Sequence, residues 1–432
     1  MKIRVLSLLL IFGFMLNWVS AQDAYDKKAF LTQLEQQHLQ LLKQIKTDYS
    51  GKKDKALSQF YKTYYEDLKH SIDDEDFVFN TPFNAYTNQI LNQIKVANPT
   101  LSDTPLMLLI AKDNTPNAFC MPDGTFVVNM GLFNWMDNED QVAAILSHEI
   151  AHKALNHSTK YFLKKLEDRE QTKSLSKKIK SEESSNKSQK AFNLIKSQIY
   201  ARGKEKRKTE IEADSLGYTF FKNTKYHKAE TINALRVLQE FDSISPKALQ
   251  LETYKKLYNL PNLAFKEAWL KEEDFSLYNY NFYKEKLSKD SLSTHPEMTD
   301  RINHLKKEFS ELKKTEKPQL PTKEYKALQT EAKKNFLSNY YHSEDYGVGV
   351  YACMHLLQST KNDKVSQALY HDWLGKFFTK IYDARKNYTL NRYVDRVDPK
   401  NQSESYRKFL NFMWNLSLED IKTIRDYYTK KS

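Results

Sequence analysis

Two cysteines in 432 residues, Cys120 and Cys353, are too few for the disulfide framework that supports many small exported domains. Both read as buried thiols, and their places in the sequence say nothing about the close approach a bridge needs. After residue 19 no apolar run reaches the roughly 20 residues that a membrane-spanning helix takes. Nucleic-acid recognition motifs are missing too, so the many basic residues do not imply a nucleic-acid partner. No clean internal repeat is visible.

The chain does carry an export signature. Lys2 and Arg4 precede an apolar run over 5–19, followed by Ser20 and Ala21, which predicts a signal peptide over 1–21 cleaved after Ala21. Gln22 stands where lipoprotein attachment would need a cysteine. The expected mature chain is therefore soluble, periplasmic or secreted. The net charge of the full 432 residues, +12, is concentrated, since 160–208 holds 16 Lys and Arg against 6 Asp and Glu. That pattern reads as a basic helical excursion over 158–208, solvated or weakly attached to an anionic membrane surface, with a polar stretch at 181–188 where the chain loops out.

Periodicity divides the remainder. Apolar residues at helical spacing, Phe30, Leu31, Leu34 and Leu39 among them, predict a helical N-terminal arm within 22–80. Short apolar runs at 106–110, 117–119 and 126–129, separated by Asn114-Thr115-Pro116 and Pro122-Asp123-Gly124, predict a small sheet or hairpin. A long helix follows, with Asn138 as cap and Gln141 placed to complete a capping box. Val142, Ile145, Leu146, Ile150 and Leu155 supply its buried stripe. A further helix is expected over about 210–222. Lys-Pro-Gln-Leu-Pro from Lys317 reads as part of a linker over 311–324, because two prolines interrupt a helix there. From 325 to 432 the pattern suggests paired helices, with Ser417 capping the last and tetratricopeptide-like packing as one arrangement. The fold class is α+β, mainly α.

His148-Glu149-Ile150-Ala151-His152 lies on the capped helix. Residues four apart on a helix differ by about 40° around its axis, so both imidazoles face one way and can grip one ion. Glu149 is rotated off that line and can reach water beside the metal. The motif sits among Leu146, Ile150 and Ala151, a costly place for polar groups without a joint task. Catalytic zinc uses three protein ligands and keeps one position open. Glu210-Ile211-Glu212-Ala213-Asp214 offers the third, since Glu210 and Asp214 lie four apart on an expected helix and one can bind zinc while the other fixes a histidine ring. Glu212 is expected to be dispensable for metal. His157 is the weaker alternative, since five residues past His152 on one helix it would face elsewhere.

Together with Asn117-Ala118-Phe119-Cys120-Met121-Pro122-Asp123-Gly124, and with Ser293-Thr294-His295-Pro296 followed by Asp300-Arg301-Ile302, these motifs make the chain resemble the zinc metallopeptidase family of HtpX, BepA and the CAAX-prenyl proteases, over about 81–308. The lack of further apolar spans places it nearer the soluble BepA-like branch. The resemblance implies a gluzincin-type peptidase domain over 81–310 followed by a helical-hairpin domain over 325–432, with one Zn2+ per chain. Its ligands would be His148, His152 and Glu210, with Glu149 as general base and Asp214 behind a ligating histidine. It also implies that 126–130 forms the edge strand on which an extended polypeptide substrate pairs. His295 is the candidate oxyanion donor, or a latch on the open coordination position. The implied activity is hydrolysis of exported or envelope proteins in quality control, with an envelope partner for the C-terminal helices. The rival reading is a chaperone-like assembly factor built on the same fold.

Overall fold

Three apolar runs joined by Pro- and Asn-rich turns become three strands of one four-stranded sheet. The computed structural model describes residues 26–181, 187–243, 247–272, 298–314, 316–360, 363–398 and 402–430. The strands are β1 (Phe77–Val78), β2 (Met107–Ala111), β3 (Ala118–Cys120) and β4 (Thr125–Asn129), in the order β1-β2-β4-β3. β2 and β4 are parallel, while β1 and β3 are antiparallel to their neighbours. β4 is therefore an inner strand and β3 is the edge, so 126–130 is not the edge strand the resemblance implied. The chain reaches β3 first and turns back through Pro122-Asp123-Gly124 into the slot beside β2. Gly124 makes that turn with φ of 95°, and a Cβ there would lie 2.1 Å from the carbonyl oxygen of Pro105.

The described residues fall into two compact units, one drawn from 1–239 and 281–330, the other from 240–280 and 331–432. In the first unit, α1 (Lys27–Asp48) and α2 (Gly51–Asp73) form a hairpin on one face of the sheet. Phe30, Leu34, Leu68 and Ile72 bury against Met107, Leu109 and Val127 there. α3 (Pro82–Ala97), the short α4 (Gly131–Trp135) and α5 (Glu139–Ala154) follow. Asn138 caps α5 by accepting from the Gln141 N–H at 3.0 Å, and Gln141 returns a bond to the N–H of Asp137 rather than to that of Asn138. α5 lies against β3, α3 and a later helix, so burial extends beyond the expected stripe to Ala143, Ala144 and Ser147.

α5 stops at Ala154, and Asn156 adopts φ of 54° before α6 (His157–Ser181) begins. Asn is among the few side chains that tolerate the left-handed region, so the chain can turn sharply there without glycine. α7 (Lys187–Lys222) is one continuous helix, so the second part of the basic segment and the expected 210–222 helix are a single element. Its Gly203 costs only about 1 kcal/mol in a helix interior, too little to end it. α2 braces the start of α6 through Leu57 and Tyr61 packed on Phe162 and Leu163. The greater part of α8 (Glu230–Ser243), up to Gln239, with α10 (Met298–Glu308) and the start of α11 (Lys323–His342), completes this unit. The segment read as a linker is tied into it: the N–H of Gln319 donates to buried Glu230 at 2.7 Å, and the Tyr325 hydroxyl donates to the Met136 carbonyl at 3.2 Å. The division between units falls instead within α11, after Thr330.

The second unit combines α9 (Leu251–Tyr258) with the rest of α11, α12 (Tyr346–Ser359), α13 (Lys364–Lys386), α14 (Glu404–Asn415) and α15 (Leu418–Thr429). Asp363, Ser403 and Ser417 cap the last three, Ser417 in a full capping box with Asp420. The core is aromatic, built on Tyr254, Tyr258, Phe377, Phe378, Phe409 and Phe412. Cys120 in the first unit and Cys353 in the second are both buried and free. Residues 1–21 and His295 lie outside the described residues, as does most of the polar stretch 181–188.

Candidate metal centre

Helical spacing puts His148 and His152 on one side of α5, their rings 4.7 Å apart and nearly perpendicular. Glu210 comes from α7, which can lie close because Gly217, two turns further on, faces the backbone of His148. A Cβ at position 217 would stand 2.7 Å from the His148 Cα and 3.0 Å from its nitrogen, both backbone atoms that cannot rotate away. Gly217→Ala is therefore expected to push α5 and α7 apart, costing about 1–3 kcal/mol of stability. It should also weaken metal binding, and denaturant unfolding together with metal titration reads both effects.

The His148 and His152 Nε2 atoms are 3.0 Å apart, and the Glu210 oxygens lie 3.5 and 3.7 Å from them. Donors placed tetrahedrally around zinc at its usual bond lengths sit about 3.3 Å from one another, so this triangle fits the ion. The charges fit as well. His148 Nδ1 is 3.0 Å from Asp214, though at an angle short of a well-formed hydrogen bond, and His152 Nδ1 is occupied by another partner. With protons on those Nδ1 atoms, two nitrogen lone pairs and a carboxylate converge on one point, an arrangement that a cation stabilises. Among the described residues these three form the one group of His, Cys, Asp and Glu arranged to hold a metal ion.

Arg301, from α10, is buried at 6% exposure and grips Asp214 at 2.8 and 2.6 Å while standing 3.5 Å from Glu210. Sequence reasoning placed Arg301 in a motif without giving it a role, since only folding brings α10 beneath α7. Burial opposes the charged forms of Asp214 and Glu210. Arg301 and then His148 overcome it at Asp214, and His148 and then Arg301 at Glu210, so both carboxyls sit below the usual range, Glu210 at about 2. Burial likewise works against the His148 cation, but the adjacent carboxylates of Asp214 and Glu210 prevail and raise it to about 9. At His152 burial and the neighbouring His148 charge act together and lower it to about 3.

Glu149 is deeply set yet keeps some surface open, so it feels burial and can still be reached. Burial raises its carboxyl to about 7, against the charges of His148 and Arg301 and a backbone hydrogen bond with Cys120. A carboxyl poised near neutrality suits proton transfer in both directions. Cys120 belongs to β3, whose Ala118 and Cys120 side chains turn toward α5 and whose outer backbone edge faces away from β4. Lys153, absent from the sequence reasoning, holds the turn after β3 by donating to the Pro122 carbonyl at 2.8 Å. A small cavity of about 20 Å3 lies beside His148 and Arg301, walled by Ile145, Tyr218, Phe221 and Leu235.

His157 does not bind the metal position, as expected, but the reason differs. It begins a new helix after the turn at Asn156 and comes back onto His152, with which it makes contact through Nδ1.

The model of peptidase family M48 matches residues 83–309, just over half of the chain. Over 77 residues, 18% of this chain and 23% of the relative, the sequence is 38% identical to mitochondrial metalloendopeptidase OMA1 of Schizosaccharomyces pombe. Over 80 residues, 18% of this chain and 16% of the relative, it is 31% identical to the beta-barrel assembly-enhancing protease of Yersinia pestis and 29% identical to that of Escherichia coli. Each match spans less than a quarter of the relative's own length.

Proposed function

Because this chain belongs to peptidase family M48, we propose that it is a zinc-dependent endopeptidase, with His148, His152 and Glu210 holding the ion and Glu149 as the base. The observation that carries the proposal is the convergence of three metal-donor atoms from α5 and α7 beside a carboxyl raised to about 7. When bound there, zinc would supply Lewis acidity toward a peptide carbonyl and toward water. Glu149 would take the proton of the attacking water and hand it to the departing amine. Asp214 and Arg301 would fix His148 and Glu210 from behind. An extended substrate would pair along the free edge of β3, next to α5, by backbone hydrogen bonds that accept many sequences.

His295 keeps the role suggested by its sequence motif, a donor to the oxyanion or a latch on the open coordination position. Exported or envelope proteins are the proposed substrates, in a quality-control task after export to the periplasm or beyond; two of the relatives are named for enhancing beta-barrel assembly. The basic helical pair α6 and α7 would touch anionic membrane surface, and the second unit would hold a protein partner. An assembly factor without activity would need neither the base nor the carboxylate behind His148, so the peptidase reading is preferred.

Purified protein should carry one zinc per chain and cleave an unfolded polypeptide, and chelation should stop cleavage until zinc is returned. Absence of zinc from protein purified without chelators, or cleavage that survives complete metal removal, would refute the proposal.

A further inference from the structure

Each ligand histidine needs a partner on its far nitrogen, and the two partners here are of different kinds. His148 has the Asp214 carboxylate directly behind it. Behind His152 stands His157, 6% exposed, with the two Nδ1 atoms 2.9 Å apart and the rings nearly perpendicular at 4.9 Å. On the other side of His157, Nε2 lies 3.3 Å from Glu212 Oε2, and the second Glu212 oxygen lies 3.5 Å from the Lys208 ammonium.

The protons in this row can be assigned. If His152 presents Nε2 to the metal, its single proton sits on Nδ1 and must be donated to His157 Nδ1. His157 then has to accept at Nδ1 and carry its own proton on Nε2, where Glu212 accepts it. Every nitrogen in the row is satisfied by this one arrangement. We propose that His157 and Glu212 are positioning residues for the zinc ligand His152, relaying to it the carboxylate that Asp214 gives His148 directly.

The assignment rests on the zinc reading of the site and gives a role to two residues that sequence reasoning set aside. It also explains the geometry of the α5–α6 corner. Were α5 to continue past Asn156, His157 would rotate away from His152. The left-handed turn at Asn156 brings it back, and α7 delivers Glu212 from the same helix that carries Glu210.

Outer partners of this sort typically contribute about 10–100-fold to metal affinity. Competition of the full-length protein with a chromophoric chelator for Zn2+ should show tight binding of one ion, and His157→Leu should weaken it by about that factor. Glu212→Leu should act in the same direction, because Glu212 is 43% exposed and its loss leaves the core intact. The double variant should lose less than the two effects combined, since both act through one row. His157→Gln should recover much of the affinity, its amide oxygen accepting from His152 and its NH2 group donating to Glu212. Nitrogen NMR of labelled histidines should find His157 protonated at Nε2. A wild-type protein that binds no zinc would remove the underlying reading of the site. Tight wild-type binding with affinity unchanged in both leucine variants, no recovery with Gln, or His157 protonated at Nδ1 would overturn this inference alone.

Discussion

Glu149→Gln is expected to keep one zinc per chain while peptide hydrolysis falls by at least about 100-fold, the lower end for loss of a general base. Metal should stay because Glu149 is not among the three converging donors. The rate should fall because an amide of the same shape cannot accept a proton from water. Stability supplies the control. Burial raises the Glu149 carboxyl, so the folded protein disfavours its charged form, and a neutral amide should fold at least as well. Thermal unfolding that is unchanged or improved, alongside lost turnover and intact zinc content, would place the defect in chemistry. Near-normal turnover would remove Glu149 from its role.

The largest effect on stability is expected from Arg301→Met. Arg301 and Asp214 are nearly fully buried, and removing the guanidinium leaves the Asp214 carboxylate with the His148 imidazole in its place, at a cost of up to about 3–5 kcal/mol. Glu210 would lose a positive neighbour as well. The sign with pH follows from the depressed Asp214 value. Stability supplied by the pair is fully present above the ordinary Asp pKa of about 3.9 and is lost as pH falls toward the folded-state value. Urea unfolding of zinc-free wild type and variant should thus differ most near neutral pH and converge in acid. Adding Asp214→Asn to Arg301→Met should recover stability, because the stranded charge is gone, while zinc affinity stays low because His148 has lost its carboxylate. Equal unfolding midpoints for wild type and Arg301→Met at pH 7 would show that the pair contributes little.

The prospect of a bridge between Cys120 and Cys353 ends with both thiols free and buried, one in each unit. Burial pushes both well up, which makes them poor nucleophiles. The Pro-containing stretch around 317–321 shows how a local signal can mislead about organisation. Proline does interrupt the helix there, as expected, and α11 starts only at Lys323. Interruption of a helix is not the end of a folding unit, however, because Glu230 and Met136 capture the segment that follows.

What the sequence determined by itself was local. The capped start of α5, the shared face of His148 and His152, the three strand segments and the helices after residue 325 all follow from spacing within one element and from residues that cap or break it. Folding alone decided the relations between elements. Strand order is one, because pairing β4 beside β2 buries its apolar residues on both faces and leaves the shorter β3 at the edge, where Phe119 is the residue left exposed. The site is another. Glu210, Asp214 and Arg301 reach His148 because Gly217 has no side chain to hold α7 off α5, and His157 meets His152 because the chain turns at Asn156 where a straight helix would have carried it away. Periodicity records which way a residue faces on its own helix or strand, whereas these contacts depend on how closely two backbones approach, and that distance is set by packing across the whole unit.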